Sequence, residues 1–248
     1  MDREPLIDVL PDASAVIDAA DELVRVAAAA AIAARGRFTL ALSGGRTPNG
    51  LYRALADAPG PGRAPLDWRR IHLLWGDERA VPPEDPQSNY GTAMAAFAGA
   101  PIPPANVHRI AAETAPAEDG AAAYEALLRA LFDTAAPQVP EIDLVLLGLG
   151  TDGHTASLFP GTAALAERRR LVVAQRVEAV GGDRVTLTYP VLNAARSVVF
   201  LITGAEKAVM ARRLVRERDA GLPAAGVRPQ RGTLRYLLDR AAAAGLAR

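Results

Sequence analysis

The chain has 248 residues, of which 50% are apolar and 23% charged, with 28 basic side chains balancing 28 acidic ones. This length accommodates one large α/β domain or two small ones, and the missing basic excess argues against nucleic acid as a partner. The chain has no cysteine, which excludes disulfides, thiolate zinc ligands and a cysteine nucleophile. The apolar stretch at residues 26–34 is too short for a membrane span of about 20 residues. Because the acidic N-terminus lacks an apolar leader, the sequence predicts a cytoplasmic protein with no membrane partner.

Helical spacing of apolar residues predicts helices, and short apolar runs predict strands. The predicted elements, in chain order, are helix 12–34, strand 38–42, helix 47–58, loop 58–65, strand 70–75, helix 89–98, strand 107–110, helix 117–132, strand 142–147, strands near 170–177, 184–189 and 197–203, helix 205–219 and helix 233–244. Strands that alternate with helices of ten or more residues imply βαβ units. The sequence therefore predicts one α/β domain over residues 1–248, a doubly wound, mostly parallel sheet with helices on both faces, as in Rossmann-like folds.

Four polar clusters begin where predicted strands end, at residues 43–47, 76–79, 148–154 and 204–207. In an open α/β sheet, ligands bind in the crevice outside the carboxyl ends of the strands. Because all four clusters fall at strand ends of this kind, we expect them to form one binding crevice.

The first cluster is the run Ser43-Gly44-Gly45-Arg46-Thr47, which joins a strand to a helix with Thr47 as its predicted cap and Pro48 as its first residue. The two glycines allow a ligand to approach the backbone closely, and the free amides at the start of a helix face an anion. A tight turn with a capping threonine explains the same residues without any ligand. The cluster is not a P-loop, because the Gly-Lys-Ser/Thr ending is missing.

The third cluster presents His154 on a glycine-rich loop. Residues 148–153 match the dinucleotide-binding pattern G-x-G-x-x-G, but Pro160 and Gly161 end any following helix too early for a full crossover helix. A histidine on such a loop can accept a proton near neutral pH. The alternative is a loop histidine bonded to the backbone. Asp152 either orients the imidazole ring or caps the turn.

The other clusters supply charge. Asp77 and Arg79 follow an apolar strand, where the alternative is a surface loop whose charges pair with one another. Lys207 is the only lysine among 28 basic residues, and an ammonium group in the first turn of a helix makes a good phosphate site. Arg184 contributes a further cation.

His72 and His108 are predicted to be structural. His72 alternates with apolar residues in a strand, and His108 follows a proline-rich connector. No two histidines stand four residues apart, and no carboxylate cluster has the spacing of metal ligands, so we predict no catalytic metal.

Together these residues resemble the 6-phosphogluconolactonase family. The matching segments run in the same order from about Thr39 to the C-terminus: Ser43-Gly-Gly-Arg-Thr-Pro48, Trp75-Gly-Asp-Glu-Arg79, Ser88-Asn-Tyr90, residues 143–160 and Thr203-Gly-Ala-Glu-Lys207. The most specific of them is the run Asp-Gly-His-Thr-Ala-Ser-Leu-Phe-Pro at residues 152–160. The resemblance covers nearly the whole chain.

The resemblance implies hydrolysis of 6-phospho-D-glucono-1,5-lactone to 6-phospho-D-gluconate, the second step of the oxidative pentose phosphate pathway, without a cofactor. It makes His154 the proton acceptor and Asp152 its support. The loop 43–47 would hold the phosphate together with the cations Arg184 and Lys207. Asp77 and Arg79, which follow Trp75, would line the sugar site. The implied partner is a small sugar phosphate lactone, bound by a monomer or a homodimer.

Two other functions stay open at this point. Glucosamine-6-phosphate deaminases share the fold of this family and carry a glutamate shortly after Asp-Gly-His, but the matching stretch here, Ser157-Leu-Phe-Pro160, has no carboxylate. A non-catalytic sugar-phosphate sensor would carry a DNA-binding helical domain, for which we expect no room before the first sheet strand. Turnover of glucosamine 6-phosphate would identify a deaminase, and binding without product would identify a sensor.

Overall fold

The structure, a computed structural model, describes residues 4–58, 60, 62–178 and 181–246. The first three residues of the acidic N-terminus and parts of the predicted loop 58–65 lie outside the described residues. The helices and strands, in chain order, are β1 (Leu6–Leu10), α1 (Ala13–Arg35), β2 (Phe38–Leu42), α2 (Arg46–Ala56), β3 (Ile71–Trp75), β4 (Asp77–Arg79), α3 (Asn89–Ala96), β5 (Val107–His108), α4 (Ala117–Phe132), β6 (Leu144–Leu147), β7 (Val172–Val177), β8 (Gly182–Leu187), α5 (Tyr189–Ala194), β9 (Ser197–Ile202), α6 (Ala208–Ala211) and β10 (Thr233–Asp239).

Seven strands form the main sheet, in the order β1-β10-β9-β6-β2-β3-β5, and all of their pairings are parallel. From β2 the chain proceeds outward through β3 and β5, then returns to β6 and proceeds in the opposite direction through β9 and β10. Because crossovers between parallel strands are right-handed, this reversal places the connecting helices on opposite faces. The predicted doubly wound, mostly parallel α/β fold is confirmed.

The strands predicted near residues 170–177 and 184–189 form, but in a second, smaller sheet. β7 pairs with β8, and β8 pairs with β4, in antiparallel fashion. β4 contains the polar cluster that the sequence presents only as a charged loop after β3. Its charged side chains are therefore held in register on a sheet.

The helix predicted over residues 233–244 is wrong. Residues Thr233–Asp239 form β10, which lies between β1 and β9 and pairs with both. The last four residues of β10 are buried. Pairing on two sides and burial outweigh the helical preference of this leucine- and alanine-rich segment. The sequence does not predict β1, the edge strand that pairs with β10.

Two further helix boundaries differ from the prediction. The predicted helix 205–219 is divided into a 3-10 turn (Ala205–Lys207), the four-residue α6 and a π-helical turn (Arg212–Arg216). Lys207 therefore ends a 3-10 turn and does not lie in the first turn of a long helix. In α2, Gly45 is the residue before the helix and Thr47 lies within the first turn, so Thr47 is not the cap. Gly45 has φ 118°, a conformation that favours glycine.

The centre of the main sheet forms the middle of the core. Every residue of β2 and β6 is buried, as expected of central parallel strands with both faces covered. Next to them, the rings of Tyr52 and Phe97 stack with their centres 4.9 Å apart. This packed centre fixes the positions of the loops that leave β2 and β6.

Candidate active site

β2 and β6 are neighbours in the sheet, and the order of the strands reverses between them. Such a switch point leaves a crevice outside the carboxyl ends of the two strands, where α/β proteins bind their ligands. The loop 43–47 follows β2, and the loop 148–154 follows β6. Two of the predicted clusters therefore meet at the switch point.

A cleft of about 550 Å³ opens at this point. The loops after β2, β6 and β9 line it with Gly44, Gly45, Arg46, Thr47, Gly148, Leu149, Thr203, Gly204 and Lys207, among others. Glu206 and Asp239 also reach the cleft, but the Asp239 carboxylate accepts hydrogen bonds from the backbone N–H groups of Gly204 and Ala242. Two cations and the free amides at the start of α2 make this lining suited to an anion.

The loop after β2 is held firmly at both ends. The hydroxyl of Tyr52 accepts a hydrogen bond from the Ser43 N–H (2.9 Å) and donates one to the Ser43 carbonyl (2.8 Å). The Thr47 hydroxyl lies 2.6 Å from the hydroxyl of Thr203, which follows β9. The loops after β2 and β9 are thereby joined directly, which brings Arg46 and Lys207 to the same cleft.

His154 and Asp152 form a hydrogen-bonded pair. Nδ1 of His154 lies 2.5 Å from Oδ1 of Asp152, which also accepts the His154 backbone N–H at 3.0 Å. Partial burial favours a higher pKa for Asp152, but the hydrogen bonds from His154 outweigh it and hold that pKa below its ordinary value. The imidazole stacks on the Phe159 ring with their centres 4.2 Å apart, and about a third of the side chain is exposed. The pair lies outside the lining of the cleft, on the same loop as Gly148 and Leu149.

Asp77 is nearly buried, with 7% of its surface exposed. Its Oδ2 accepts a hydrogen bond of 2.6 Å from the Ser157 hydroxyl, and its Oδ1 lies 3.3 Å from Nδ2 of Asn89. The same Nδ2 donates to the Asp77 carbonyl at 2.9 Å. Both carboxylate oxygens of this predicted sugar-site residue are therefore bonded to protein.

Glu78 caps the start of α3. Its carboxylate accepts backbone N–H groups from Arg79, Asn89 and Tyr90 and the hydroxyl of Ser88. Burial raises the pKa of Glu78 above its ordinary value, and the backbone hydrogen bonds oppose that shift in part. This carboxylate holds β4 against α3 and is not directed at a ligand.

Arg79 and Arg184 stand directly opposite each other in the β4–β8 ladder. Side chains that are cross-strand partners lie on the same face of a sheet, as do residues two apart, so Asp77 shares their face. Burial, followed by the nearby Arg79 charge, lowers the pKa of Arg184 below its ordinary value. Two adjacent guanidinium groups repel each other, and an anion between them would relieve that repulsion.

The other two histidines lie in the main sheet, away from these loops. Nδ1 of His72 on β3 is 3.0 Å from Nε2 of His108 on β5. Within the described residues, no three histidine, aspartate or glutamate side chains converge in a way that could hold a metal ion. None of the described helices is long and apolar enough to cross a membrane.

The sequence does not identify two residues of this region, Asn89 and Ser157, as site residues. Both are almost fully buried and both bond to Asp77. They stand in segments that carry the family resemblance, at residues 88–90 and 152–160. Their place inside those matching segments is the signal that could have identified them.

The doubly wound sheet has a cation-lined cleft at its switch point, and one of the loops that line the cleft carries a histidine paired with an aspartate. Residues 11–236 match the family described as glucosamine-6-phosphate isomerases/6-phosphogluconolactonase. The chain belongs to this family.

Within this family, several relatives and solved structures that match the chain are named 6-phosphogluconolactonase. The 6-phosphogluconolactonase of Nostoc is 41% identical over 243 residues, which cover 97% of this chain and 98% of that protein. The 6-phosphogluconolactonase of Synechocystis is 43% identical over 245 residues, which cover 98% of each. Among solved structures, 6-phosphogluconolactonase from Trypanosoma cruzi has a TM-score of 0.87 at 28% identity, with 100% of this chain and 99% of that chain covered.

Proposed function

We propose that the chain is an enzyme that hydrolyses 6-phospho-D-glucono-1,5-lactone to 6-phospho-D-gluconate without a cofactor. The His154–Asp152 pair, on the loop that also lines a cation-rich cleft, carries the proposal. Relatives named 6-phosphogluconolactonase, which match the chain over nearly its full length, support the same substrate.

In the proposed reaction His154 is the general base. Asp152 accepts a hydrogen bond from Nδ1–H, which leaves Nε2 as the unprotonated nitrogen, able to take a proton from water. The water oxygen adds to the lactone carbonyl carbon, and the resulting oxyanion is stabilised by nearby cations or amides. When the intermediate collapses, the bond between this carbon and the ring oxygen breaks. The imidazolium returns its proton to the ring oxygen, which becomes a hydroxyl.

The proposed phosphate site is the cleft itself. Gly44, Gly45, Arg46, Thr47 and Lys207 line it, whereas the Ser43 N–H donates to the Tyr52 hydroxyl. Arg184 is proposed to complete the site from the small sheet. Arg79 would face the sugar, whereas the buried Asp77 would act through its neighbours. Holding the remote phosphate orients the carbonyl toward His154. K207A removes one of several phosphate contacts, and the remaining amides and cations still orient the bound lactone, so KM should rise with little change in kcat.

The test is hydrolysis of lactone generated in the assay from glucose 6-phosphate, measured as 6-phosphogluconate formed above the spontaneous background. We expect a clear acceleration by the wild-type protein and a loss of about 10²–10⁴ in turnover for H154A. The matched control is H108Q, which removes another imidazole and should retain the rate. Near-normal hydrolysis by H154A would contradict the assignment of the base. No acceleration by folded wild-type protein would contradict the lactonase itself.

We further propose that one chain holds a complete site, so that a monomer and a homodimer would be equally active. The loops after β2, β6 and β9 of one chain line the cleft, and the small sheet of the same chain supplies Arg79 and Arg184. Light scattering at the concentrations used in the assay gives the oligomeric state. A specific activity that falls on dilution in step with dissociation would contradict a site complete in one chain.

A further inference from the structure

Asp77 is the centre of a small buried network. Its carboxylate accepts the Ser157 hydroxyl at 2.6 Å and lies 3.3 Å from the Asn89 amide. Ser157 and Asn89 are 1% and 2% exposed, respectively. Neither side chain can therefore reach a substrate directly, and any effect they have on the reaction must pass through other residues.

Ser157 connects the loop that carries His154 to all three strands of the small sheet. Its hydroxyl donates to Asp77 on β4, and its backbone N–H donates to the Thr186 hydroxyl on β8 at 3.3 Å. Its carbonyl accepts a hydrogen bond of 2.6 Å from Nε2 of Gln175 on β7. Ser157 comes only three residues after His154, so its position restricts where the imidazole can lie.

Asn89 connects the same carboxylate to the cleft. Its Nδ2 donates to the Asp77 backbone carbonyl at 2.9 Å and lies 3.3 Å from Oδ1 of the carboxylate. Its buried Oδ1 has no hydrogen-bond partner among the described residues. That oxygen occupies the space next to Gly44, where an added Cβ would lie 1.8 Å from it. Asn89 therefore packs directly against the loop that lines the cleft.

We propose that Ser157 and Asn89 are positioning residues that act through Asp77 to set the His154 loop relative to the loop 43–47. This inference depends on the proposed function, because it concerns the alignment of the proposed base with a phosphate-anchored lactone. A displacement of about 1 Å between reacting groups can cost about 10²-fold in rate. A buried hydrogen-bonded carboxylate that joins both loops limits such displacement.

The first test is S157A, which removes the hydroxyl donor and leaves Asp77 Oδ2 without it. We expect kcat to fall about 10- to 100-fold. KM and the inhibition constant of the product 6-phosphogluconate should stay within about threefold of wild type, because the phosphate contacts are unchanged. The matched control is T162A, which removes a hydroxyl that donates to the Phe159 carbonyl in the same loop and should keep the wild-type kcat.

A second measurement separates positioning from a purely structural role. If Ser157 acts through His154, S157A should lower kcat in the wild-type background but cause little further loss in the H154A background. The protein concentration is raised until the residual H154A rate exceeds the spontaneous background. Equal losses in both backgrounds, or an unchanged kcat in S157A, would overturn the proposal. N89A provides a second route to the same result if S157A does not fold.

The same assay distinguishes a failure of the proposed positioning role from a failure of the proposed function. Wild-type protein that accelerates hydrolysis, with H154A strongly impaired, supports the function whatever S157A does. Wild-type protein that fails to accelerate hydrolysis overturns both the function and the positioning role. An active wild type with an unaffected S157A overturns the positioning role alone.

Discussion

At the scale of single residues, the short segment from Gly150 to His154 produces the pairing of the proposed base with its aspartate. Gly153 has φ 86°, in the left-handed region that favours glycine. The loop then closes by a 2.8 Å hydrogen bond from the Gly150 N–H to the His154 carbonyl. Asp152 and His154 are only two residues apart, so the turn brings Oδ1 and Nδ1 together without help from distant parts of the chain.

Gly150 leaves the space that this pair occupies. A Cβ at this position would lie 2.1 Å from Nδ1 of His154 and 2.6 Å from Oδ1 of Asp152. We expect G150A to displace the imidazole and to lower kcat by about 10²-fold, while the fold persists because the displaced groups are the ends of side chains. Steady-state kinetics, together with a circular dichroism spectrum to verify folding, checks this.

The control for that substitution is on the neighbouring residue. The side chain of Thr151 is exposed, so T151A should be nearly as active as wild type. If T151A and G150A lose activity equally, the loss does not come from contact with the His154–Asp152 pair.

At the scale of elements, the predicted and observed secondary structures differ where the neighbouring strands, and not the local sequence, determine the conformation of a segment. Residues 233–239 carry leucines at a spacing that suits a helix as well as a strand, and only their position between β1 and β9 makes them a strand. β4 has three residues, too few for any periodicity to show. In contrast, β2, β3 and β6 are confirmed because their apolar runs are bounded by clear turn signals.

Another pairing between elements joins β3 to the edge strand β5. The rings of His72 and His108 are nearly parallel, with an interplanar angle of 13°, and share one N–H···N hydrogen bond of 3.0 Å. Burial, and then the charge of Arg37, lowers the pKa of His72; burial, His72 and Arg37 lower that of His108. Both rings are therefore harder to protonate in the folded state, and the N–H···N hydrogen bond itself needs one ring nitrogen without a proton.

This pair makes stability depend on pH. In the unfolded chain both imidazoles take up protons near pH 6.5, whereas the folded state takes them up only at lower pH. Because the unfolded state binds more protons in that interval, the free energy of unfolding should fall as the pH falls below about 6.5. Urea unfolding at pH 7.5 and 5.5 measures this, and the fall should be smaller in the variant H72Q/H108Q. Equal falls in both proteins would contradict the prediction.

At the scale of the whole molecule, the reversal of strand order between β2 and β6 decides where the site lies. The main sheet supplies the cleft and the loops that line it, whereas the small sheet supplies Asp77, Arg79 and Arg184. The proposed site therefore depends on the relative position of two sheets. The buried contacts of Ser157 and Asn89 with Asp77 are the local connections between them.

A ligand that binds across this site should stabilise the whole fold. At 100 times its dissociation constant, 6-phosphogluconate should add about 2.7 kcal/mol, which raises Tm by about 5–10 °C for a chain of this size. In K207A, higher ligand concentrations should be needed for the same shift, because the proposed phosphate contact is lost. Thermal unfolding with increasing ligand checks this, with unphosphorylated gluconate as the control. An equal shift by gluconate would contradict anchoring through the phosphate.

From the amino-acid sequence alone one can predict the alternation of strands and helices, the loops that follow β2, β3, β6 and β9, and His154 as the candidate base. These are local properties: hydrophobic period, glycine-rich breaks and residues within a few positions of each other. The packing of distant elements makes residues 233–239 a strand, places Asp77–Arg79 in a second sheet and buries Asp77 against Asn89 and Ser157. Asp77 meets Ser157 across 80 positions of sequence. Contacts at such separations depend on how the elements pack together, which no local pattern records.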